Sequence, residues 1–246
     1  MILYITLIHF QKKTWCIHMS NYMQRQSGAT WYPILKGLEV IIVGAGGLGS
    51  FISLSVSRLG CDITLFDYDN YESHNLTGQL VSHNQVGMNK ANAIKDTISM
   101  FTPSCNLDAI PEKYTSDSIT GPIVIVGPDN NEARKIAFDN WVSVNWENPN
   151  AIFLDARSGW DVIEIFCVTK KDADWYYNTL LASDSYAEES CSTKQTTYCV
   201  QMAASFIANY LKNHISYVNG IGAYDVPRYT NYNLTLMELS NDLEYL

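Results

Sequence analysis

The stretch VIIVGAGGLGS, residues 40–50, runs from an apolar segment into three spaced glycines. These fit the pattern G-x-G-x-x-G and are Gly44, Gly46 and Gly49. The mostly β-branched residues Leu38–Val43 predict a buried strand, and the apolar spacing over Gly47–Leu59 predicts a helix. A glycine loop between a strand and a helix brings backbone N–H groups close to nucleotide phosphates. The stretch therefore predicts a phosphate-binding loop but leaves the nucleotide open.

The residues after this loop complete a βαβ unit. Gly60 ends the helix, and Asp62–Phe66 predict a second strand that stops at Asp67. Asp67 lies about twenty residues past the glycines, where a carboxylate accepts hydrogen bonds from ribose hydroxyls in nucleotide-binding sheets. ATP and NAD both contain such a ribose, so Asp67 does not distinguish between them.

Strand and helix patterns alternate along the rest of the chain. Strands are predicted over Cys105–Ile110, Pro122–Val126, Ala151–Leu154 and Val162–Val168, with a late edge strand or arm over Asn231–Leu236, and helices over Lys90–Met100, Asn131–Val144 and Thr193–Ile215. This alternation predicts an α/β fold, a Rossmann-like nucleotide-binding domain with a mostly parallel sheet extended by antiparallel strands. We expect residues 1–21 to form an N-terminal extension or strand, and residues 22–246 a single domain ending in a helix and a tail.

Composition excludes some classes of partner. The chain has 246 residues and a formal net charge of -9, with 47% hydrophobic and 17% charged residues, which is typical of a globular domain. A net negative charge repels polyanions, so no nucleic-acid partner is predicted. The apolar start MILYITLIHF is too short to span a bilayer and lacks the basic residues and cleavage site of a signal peptide, so no membrane is predicted.

The cysteines are spread along the chain and never form a C-x-x-C pair. They are Cys16, Cys61, Cys105, Cys167, Cys191 and Cys199. This spacing predicts neither a disulfide framework nor a tetrahedral zinc site. We therefore predict a cytoplasmic protein in a reducing compartment, with a fold that does not depend on zinc.

Several short motifs occur in a fixed order around the glycine loop. They are Tyr22–Gln26 upstream and, downstream, Asp67–Asp69, His74–Gln79, Gly87–Lys90 and Gly127–Asn130. In this order they resemble the ThiF/MoeB family of ubiquitin-activating-like adenylating enzymes, in a short form without the zinc-binding C-x-x-C pairs. The resemblance extends over roughly residues 22–215. It favours ATP over NAD, because NAD dehydrogenases do not require the later motifs.

The resemblance implies ATP-dependent adenylation of a C-terminal carboxylate, with Mg²⁺ as a cofactor and release of pyrophosphate. The implied substrate is the glycine-terminated tail of a ubiquitin-like or sulfur-carrier protein, and the implied assembly is a homodimer. Three alternatives stay open: a catalytically weakened scaffold that binds nucleotide or a ubiquitin-like partner, a small-molecule branch that dehydrates a tRNA base modification through an adenylate, and an NAD-dependent oxidoreductase.

The resemblance also implies roles for individual residues. Lys90 would place its charge on the phosphates, and Asp129 would hold Mg²⁺. Asn75 and Gln79 would contact ribose and phosphates, or else only stabilise a turn. Arg25 would reach across a dimer to the phosphates of the other copy, or else lie exposed in an N-terminal arm.

Cys191 resembles the cysteine in the crossover loop of the family, which in some members accepts the activated acyl group. A helix N-terminus and Lys194 would favour its thiolate, whereas Glu188 and Glu189 would oppose it. An acyl acceptor and an idle loop cysteine are both open.

The sequence departs from the family pattern at Gly78, which stands where the motif N-L-x-R-Q has arginine. The loss of a phosphate-facing cation costs catalysis about 3–4 kcal/mol when nothing replaces it. Arg157, which follows the predicted strand Ala151–Leu154, is our predicted replacement, and Arg134 is the alternative.

Overall fold

The computed structural model describes residues 24–183, 196–222 and 225–242, and its strands form one sheet. The strands are β1 (Glu39–Val43), β2 (Asp62–Phe66), β3 (Leu107–Ile110), β4 (Ile123–Val126), β5 (Ile152–Gly159), β6 (Val162–Val168), β7 (Tyr229–Asn233) and β8 (Glu238–Asn241). Their order is β3-β2-β1-β4-β5-β6-β7-β8. Strands β1 to β5 are parallel, and β6 to β8 extend the sheet in antiparallel fashion. The predicted fold class is confirmed.

Helices cover both faces of the parallel strands. They are α1 (Tyr32–Leu35), α2 (Gly47–Arg58), α3 (Lys90–Phe101), α4 (Asn131–Asn145), α5 (Ala173–Ser183) and α6 (Thr197–Val218). One core cluster joins the sheet to α2, α3 and α6, and a second, rich in aromatic rings, joins it to α4 and α5. Among the described residues, no helix is both long and apolar enough to cross a bilayer.

Strand β1 shows why its sequence is a continuous apolar run. Val40 and Ile42 belong to the first cluster, whereas Ile41 and Val43 belong to the second. Side chains alternate between the two faces of a strand, so a strand covered on both faces is apolar at consecutive positions.

The largest corrections concern the antiparallel half of the sheet. Strand β5 does not stop at Leu154 but runs to Gly159, because its second half pairs with β6. The tail forms a hairpin, and β7 is an internal strand between β6 and β8, not an edge strand. The predicted extension over residues 1–21 and the predicted helix start at Thr193 lie outside the described residues.

Candidate functional site

A cleft of about 470 Å³ opens at the carboxyl ends of β1, β2, β3 and β4. Open α/β sheets bind ligands at this edge, at the point where the strand order reverses, and here the order reverses between β1 and β4. The volume is within the usual range of ligand pockets. Seven of the residues singled out in the sequence line this cleft: Gly44, Gly46, Asp67, Asn75, Gln79, Lys90 and Asp129.

Each glycine of the loop between β1 and α2 has its own structural reason. Gly44 adopts a φ of +95°, a conformation that favours glycine. A Cβ on Gly49 would lie 1.8 Å from the carbonyl oxygen of Gly44, so only glycine lets the helix pack against the loop. A Cβ on Gly46 would meet nothing within 4 Å, since this residue lies on the open side toward the cleft.

Asp67 fixes the loop after β2 to the glycine loop. Its Oδ2 accepts a hydrogen bond from the backbone N–H of Ala45 at 2.6 Å, and its Oδ1 accepts one from the N–H of Asp69 at 2.8 Å. Burial raises the pKa of the Asp67 carboxyl above its ordinary value, and the two N–H bonds oppose that shift. A carboxylate oxygen has a second lone pair, so both oxygens can still accept ribose hydroxyls.

Lys90 enters the cleft as the first residue of α3. Its Nζ lies 3.2 Å from Oδ2 of Asp69, and its backbone N–H donates to the carbonyl of Asp69 at 2.8 Å. The neighbouring Asn89 caps the helix by accepting from the N–H of Asn92, and its amide donates to the carbonyl oxygens of Asp67 and Asp69. Asn89, which was not singled out in the sequence, therefore sets where Lys90 stands.

The side-chain oxygens of Asn75 and Gln79 differ in whether the protein provides them with a hydrogen-bond donor. The Oδ1 of Asn75 accepts from the backbone N–H of Glu72 at 2.8 Å, which is the turn-stabilising bond left open above. The Oε1 of Gln79 is buried and has no hydrogen-bond partner within the described part of the chain. Buried acceptors are normally paired, so this oxygen on the cleft wall is available to a ligand donor.

Asp129 follows β4 and is exposed in the cleft. Its Oδ1 accepts from the amide of Asn130 at 3.2 Å, while the Oδ1 of Asn130 caps α4 through the N–H of Ala133 at 2.8 Å. The described residues include no group of three or more His, Cys, Asp or Glu side chains placed to hold a metal. Mg²⁺ is commonly held by one or two carboxylates together with substrate phosphates and water, so the oxygen donors here fit that ion.

A buried charge network contacts residues 127–130, the segment that carries Asp129. Asp155, which is fully buried, accepts from Nε of Arg134 at 3.0 Å and from Nε of Arg157 at 2.8 Å, and also from the hydroxyl of Tyr176 at 3.0 Å. Burial pushes the pKa of the Asp155 carboxyl upward, but the two guanidinium groups outweigh it and hold that pKa below its ordinary value.

The structure does not bring the predicted replacement arginine into the cleft. Arg157 lies within β5 and not after a strand end, and its guanidinium carbon stands 4.2 Å above the ring centre of Phe166. Arg134 is buried and donates through Nη2 to the carbonyl of Pro128 at 2.6 Å. Neither arginine lines the cleft.

Residues after β3 form a part of the cleft that the sequence reasoning missed. Glu112, Lys113 and Tyr114 line it, and Lys113 is a second lysine of the cleft in addition to Lys90. Tyr114 is buried, with its ring edge-on to Phe66 at 5.0 Å between centres. The predicted strand end at Ile110 was a usable signal, because parallel strands present their carboxyl ends to the same edge.

Of the other predicted catalytic residues, one does not line the cleft and one lies outside the described residues. Arg25 is exposed and does not line the cleft of its own chain, so its predicted role depends on a second copy. Cys191 lies outside the described residues. Cys199 is buried in the first core cluster, where burial raises the pKa of its thiol to about 11, as befits a packing residue.

Comparison with known proteins identifies the family of the chain. The sequence model of the ThiF family matches residues 20–241. The ubiquitin-like modifier-activating enzyme 5 of Caenorhabditis elegans is 31% identical over 87 residues, covering 35% of this chain and 21% of that protein. The probable molybdopterin-synthase adenylyltransferase of Porphyra purpurea is 33% identical over 119 residues, covering 45% of this chain and 31% of that protein. The chain thus spans less than one third of either relative.

Solved structures share the fold at low sequence identity. A crystal structure of E. coli MccB with selenomethionine MccA has a TM-score of 0.66 and 18% identity, covering 91% of this chain and 71% of that one. A crystal structure of E. coli MccB with ATP has a TM-score of 0.64 and 18% identity, covering 86% of this chain and 65% of that one. The likeness shows the Rossmann-type sheet architecture.

Proposed function

This chain belongs to the ThiF family, and from that premise we propose that it uses ATP to adenylate the C-terminal carboxylate of a polypeptide. The supporting observation is that the glycine loop, Asp67, Lys90 and the exposed Asp129 line one cleft. The names of its relatives refer to a ubiquitin-like modifier and to molybdopterin synthase. The proposed substrate is accordingly the glycine-terminated tail of a ubiquitin-like or sulfur-carrier protein.

In this proposal the nucleotide lies along the carboxyl ends of β1, β2 and β4. The N–H groups at the start of α2 donate to phosphate oxygens, where the helix dipole also favours negative charge. Asp67 accepts the ribose hydroxyls, and Gln79 offers its Oε1, which has no partner among the described residues, to another donor of the nucleotide. Lys90 exchanges part of its contact with Asp69 for the phosphates.

The chemical step needs positioning and charge neutralisation. A C-terminal carboxylate is already ionised at neutral pH, so one of its oxygens attacks the α-phosphorus without a general base. The bond to the bridging oxygen breaks, and pyrophosphate leaves with that electron pair. Negative charge accumulates on phosphoryl oxygens, where the glycine-loop N–H groups and Lys90 stabilise it. Mg²⁺, held by Asp129, would neutralise phosphate charge when bound.

Further parts of the proposal lie beyond the described cleft. Arg25 of a second copy would supply a cation in a homodimer, and Cys191 would accept the acyl group from the adenylate. The hydroxyl of Thr197, at the start of α6, donates to the carbonyl of Thr77 beside the cleft. Cys191 is six residues before Thr197 in the sequence.

A binding scaffold with weakened catalysis is the second candidate, and Gly78 is the observation that favours it. Gly78 ends the short helix Ser73–Thr77 and offers no cation where the family motif has arginine. Lys90 and Lys113 are the two lysines that line the described cleft, so catalysis would depend on them and on Arg25 of a second copy.

Exchange of radiolabelled pyrophosphate into ATP, measured with candidate carrier proteins, tests the proposal. We expect carrier-dependent exchange in the wild type and at least a hundredfold loss in Lys90→Ala. Lys95→Ala is the matched control, because Lys95 lies on the same helix, pairs with Asp108 and does not line the cleft. Binding of ATP without exchange would favour the scaffold, and preference for NAD over ATP would contradict both.

A further inference from the structure

Residues 127–130, the segment that carries Asp129, are contacted through their main chain from two sides. The N–H of Gly127 donates to the carbonyl of Val43 at 3.2 Å. A Cβ on Gly44 would lie 3.5 Å from the nitrogen of Pro128, which is ordinary van der Waals contact. Pro128 is therefore packed against the glycine loop on one side. On the other side, its carbonyl accepts a 2.6 Å hydrogen bond from Nη2 of Arg134.

The guanidinium of Arg134 is itself fixed. Its Nε donates to the buried Asp155 at 3.0 Å, and its Nη1 makes a longer contact with Oδ1 of Asn131 at 3.5 Å. The Arg134 side chain is only 8% exposed. Since each nitrogen is committed to a different group, a shift of this side chain would move the Pro128 carbonyl with it.

We propose that Arg134 is a positioning residue for Asp129. Held by Asp155, it fixes the Pro128 carbonyl and so sets the distance between the Asp129 carboxylate and the glycine loop. This inference rests on the proposed function, in which Asp129 holds the metal and the loop holds the phosphates that the same metal contacts. The distance between the Asp129 carboxylate and the glycine loop must stay constant, because misplacement of a positioning group by about 1 Å can reduce the rate a hundredfold.

The chemistry of this position calls for arginine. A guanidinium is a rigid fork whose nitrogens donate in different directions at once, whereas an ammonium is a compact point charge on a flexible stem. Lysine at 134 could keep the ion pair with Asp155, but it could not at the same time hold the Pro128 carbonyl at its present distance. Arg134→Lys is therefore expected to separate the structural role from the positioning role.

Arg157 provides a matched control within the same network. It pairs with the same carboxylate at 2.8 Å, but it stacks on Phe166 and is not bonded to the segment that carries Asp129. Its removal should weaken the same buried ion cluster and leave Pro128 in place. Arg157→Lys should thus disturb the ion pairs of Asp155 without changing the position of the Pro128 carbonyl.

The experiment measures the dissociation constant of ATP with Mg²⁺ and with a chelator, together with the unfolding temperature of the metal-free protein. In the wild type we expect Mg²⁺ to tighten binding. In Arg134→Lys that gain should fall at least tenfold, while affinity without Mg²⁺ changes less than threefold. In Arg157→Lys both affinities should stay within threefold of the wild-type values. The unfolding temperature should be lowered by a similar amount in Arg157→Lys and in Arg134→Lys.

Two outcomes would overturn the inference: full retention of the Mg²⁺ gain in Arg134→Lys, or its equal loss in both variants. If Arg134→Lys does not fold, Arg134→Met makes the same test, because it leaves Asp155 paired with Arg157 alone. If the wild-type protein binds no nucleotide, both the proposed function and this role of Arg134 are overturned. If the wild type shows Mg²⁺-dependent ATP binding and substitution of Arg134 leaves it unchanged, only the role of Arg134 is overturned.

Discussion

The first wall of the cleft, residues 44–49 with Asp67, is held by contacts to the main chain of the loop, whereas the second wall, residues 127–130 with Asp129, also depends on side chains from outside the cleft. In the first wall, the carboxylate of Asp67 accepts from backbone N–H groups, and Gly49 lets α2 pack on the carbonyl of Gly44. In the second, Arg134 holds the Pro128 carbonyl and is itself held by the buried Asp155.

The difference matters for how each wall responds to substitution. The first wall depends on close backbone contact, so it should be sensitive to added volume. The second depends on a charge network, so it should be sensitive to the loss of a charge and to pH. Four substitutions test this contrast, from the largest expected change in stability to the smallest.

The largest effect is expected at Asp155, in the network of the second wall. Asp155→Asn leaves the buried Arg134 and the partly buried Arg157 without a counter-charge, and breaking a buried ion pair in this way costs about 3–5 kcal/mol of unfolding free energy. Denaturant unfolding at pH 7 measures it. Asp139→Asn is the control, because Asp139 pairs with Lys135 at the surface, where such pairs contribute about 0–1 kcal/mol.

The pH dependence of the same variant provides a sharper test. The pKa of Asp155 is lower in the folded protein than its ordinary value, so its carboxylate contributes stability above the unfolded pKa of about 3.9 and loses it as pH falls through the folded pKa. The stability gap between wild type and Asp155→Asn should be constant from about pH 6 to 8 and should narrow below about pH 4. A gap that stays constant throughout would argue against the ion network.

The next effect belongs to the first wall. Gly49→Ala places a Cβ at 1.8 Å from a backbone oxygen, so we expect a loss of about 3 kcal/mol through overpacking and backbone shift. Gly46→Ala is the matched control within the loop, because its Cβ enters open space and should change stability by less than about 1 kcal/mol. That Cβ projects where phosphates approach, so ATP affinity should fall. Equal stability of the two variants would contradict the packing argument.

The same contrast explains which parts of the site can be predicted from sequence. The first wall is local: strand, three glycines, helix and Asp67 lie within about thirty residues, as the βαβ motif requires. Asn75, Gln79, Lys90 and Asp129 were predicted from the family resemblance, and they line the cleft together. Asp129 follows the end of β4, which an apolar run marks in the sequence, whereas Asn75, Gln79 and Lys90 lie on the connection after β2 and at the start of α3.

The buried network that holds the second wall could not be predicted, because its contacts are non-local. Arg157 was expected after a strand end, but β5 continues through it, since antiparallel pairing with β6 extends the strand. The link from Arg134 to Asp155 spans 21 residues and two elements. The sequence around Arg134 and the sequence around Arg157 do not indicate a buried carboxylate that both arginines share. The hairpin of β7 and β8 likewise depends on pairing across the sheet.

A smaller loss of stability is expected from substitution of Tyr71, which contacts the glycine loop of the first wall. Its buried hydroxyl donates to the carbonyl of Ala45 at 3.0 Å. Tyr71→Phe should therefore cost about 1 kcal/mol, the typical net contribution of one hydrogen bond. Tyr68→Phe is the control, because Tyr68 is 59% exposed, and it should leave the unfolding free energy unchanged. A loss of similar size in both variants would argue against the Ala45 contact.

The smallest change in stability is expected at Asp129, although it carries the metal in the proposed function. Its carboxylate is exposed, so Asp129→Asn should shift the unfolding free energy by less than about 0.5 kcal/mol. Its effect should appear only with ligand: the gain in ATP affinity from Mg²⁺ should be lost, while affinity in a chelator is kept or rises because a negative charge near the phosphates is removed. The exposed Asp117, outside the cleft, is the control. Retention of the Mg²⁺ gain in Asp129→Asn would move the metal away from this wall, and Arg134 would then have no carboxylate to position.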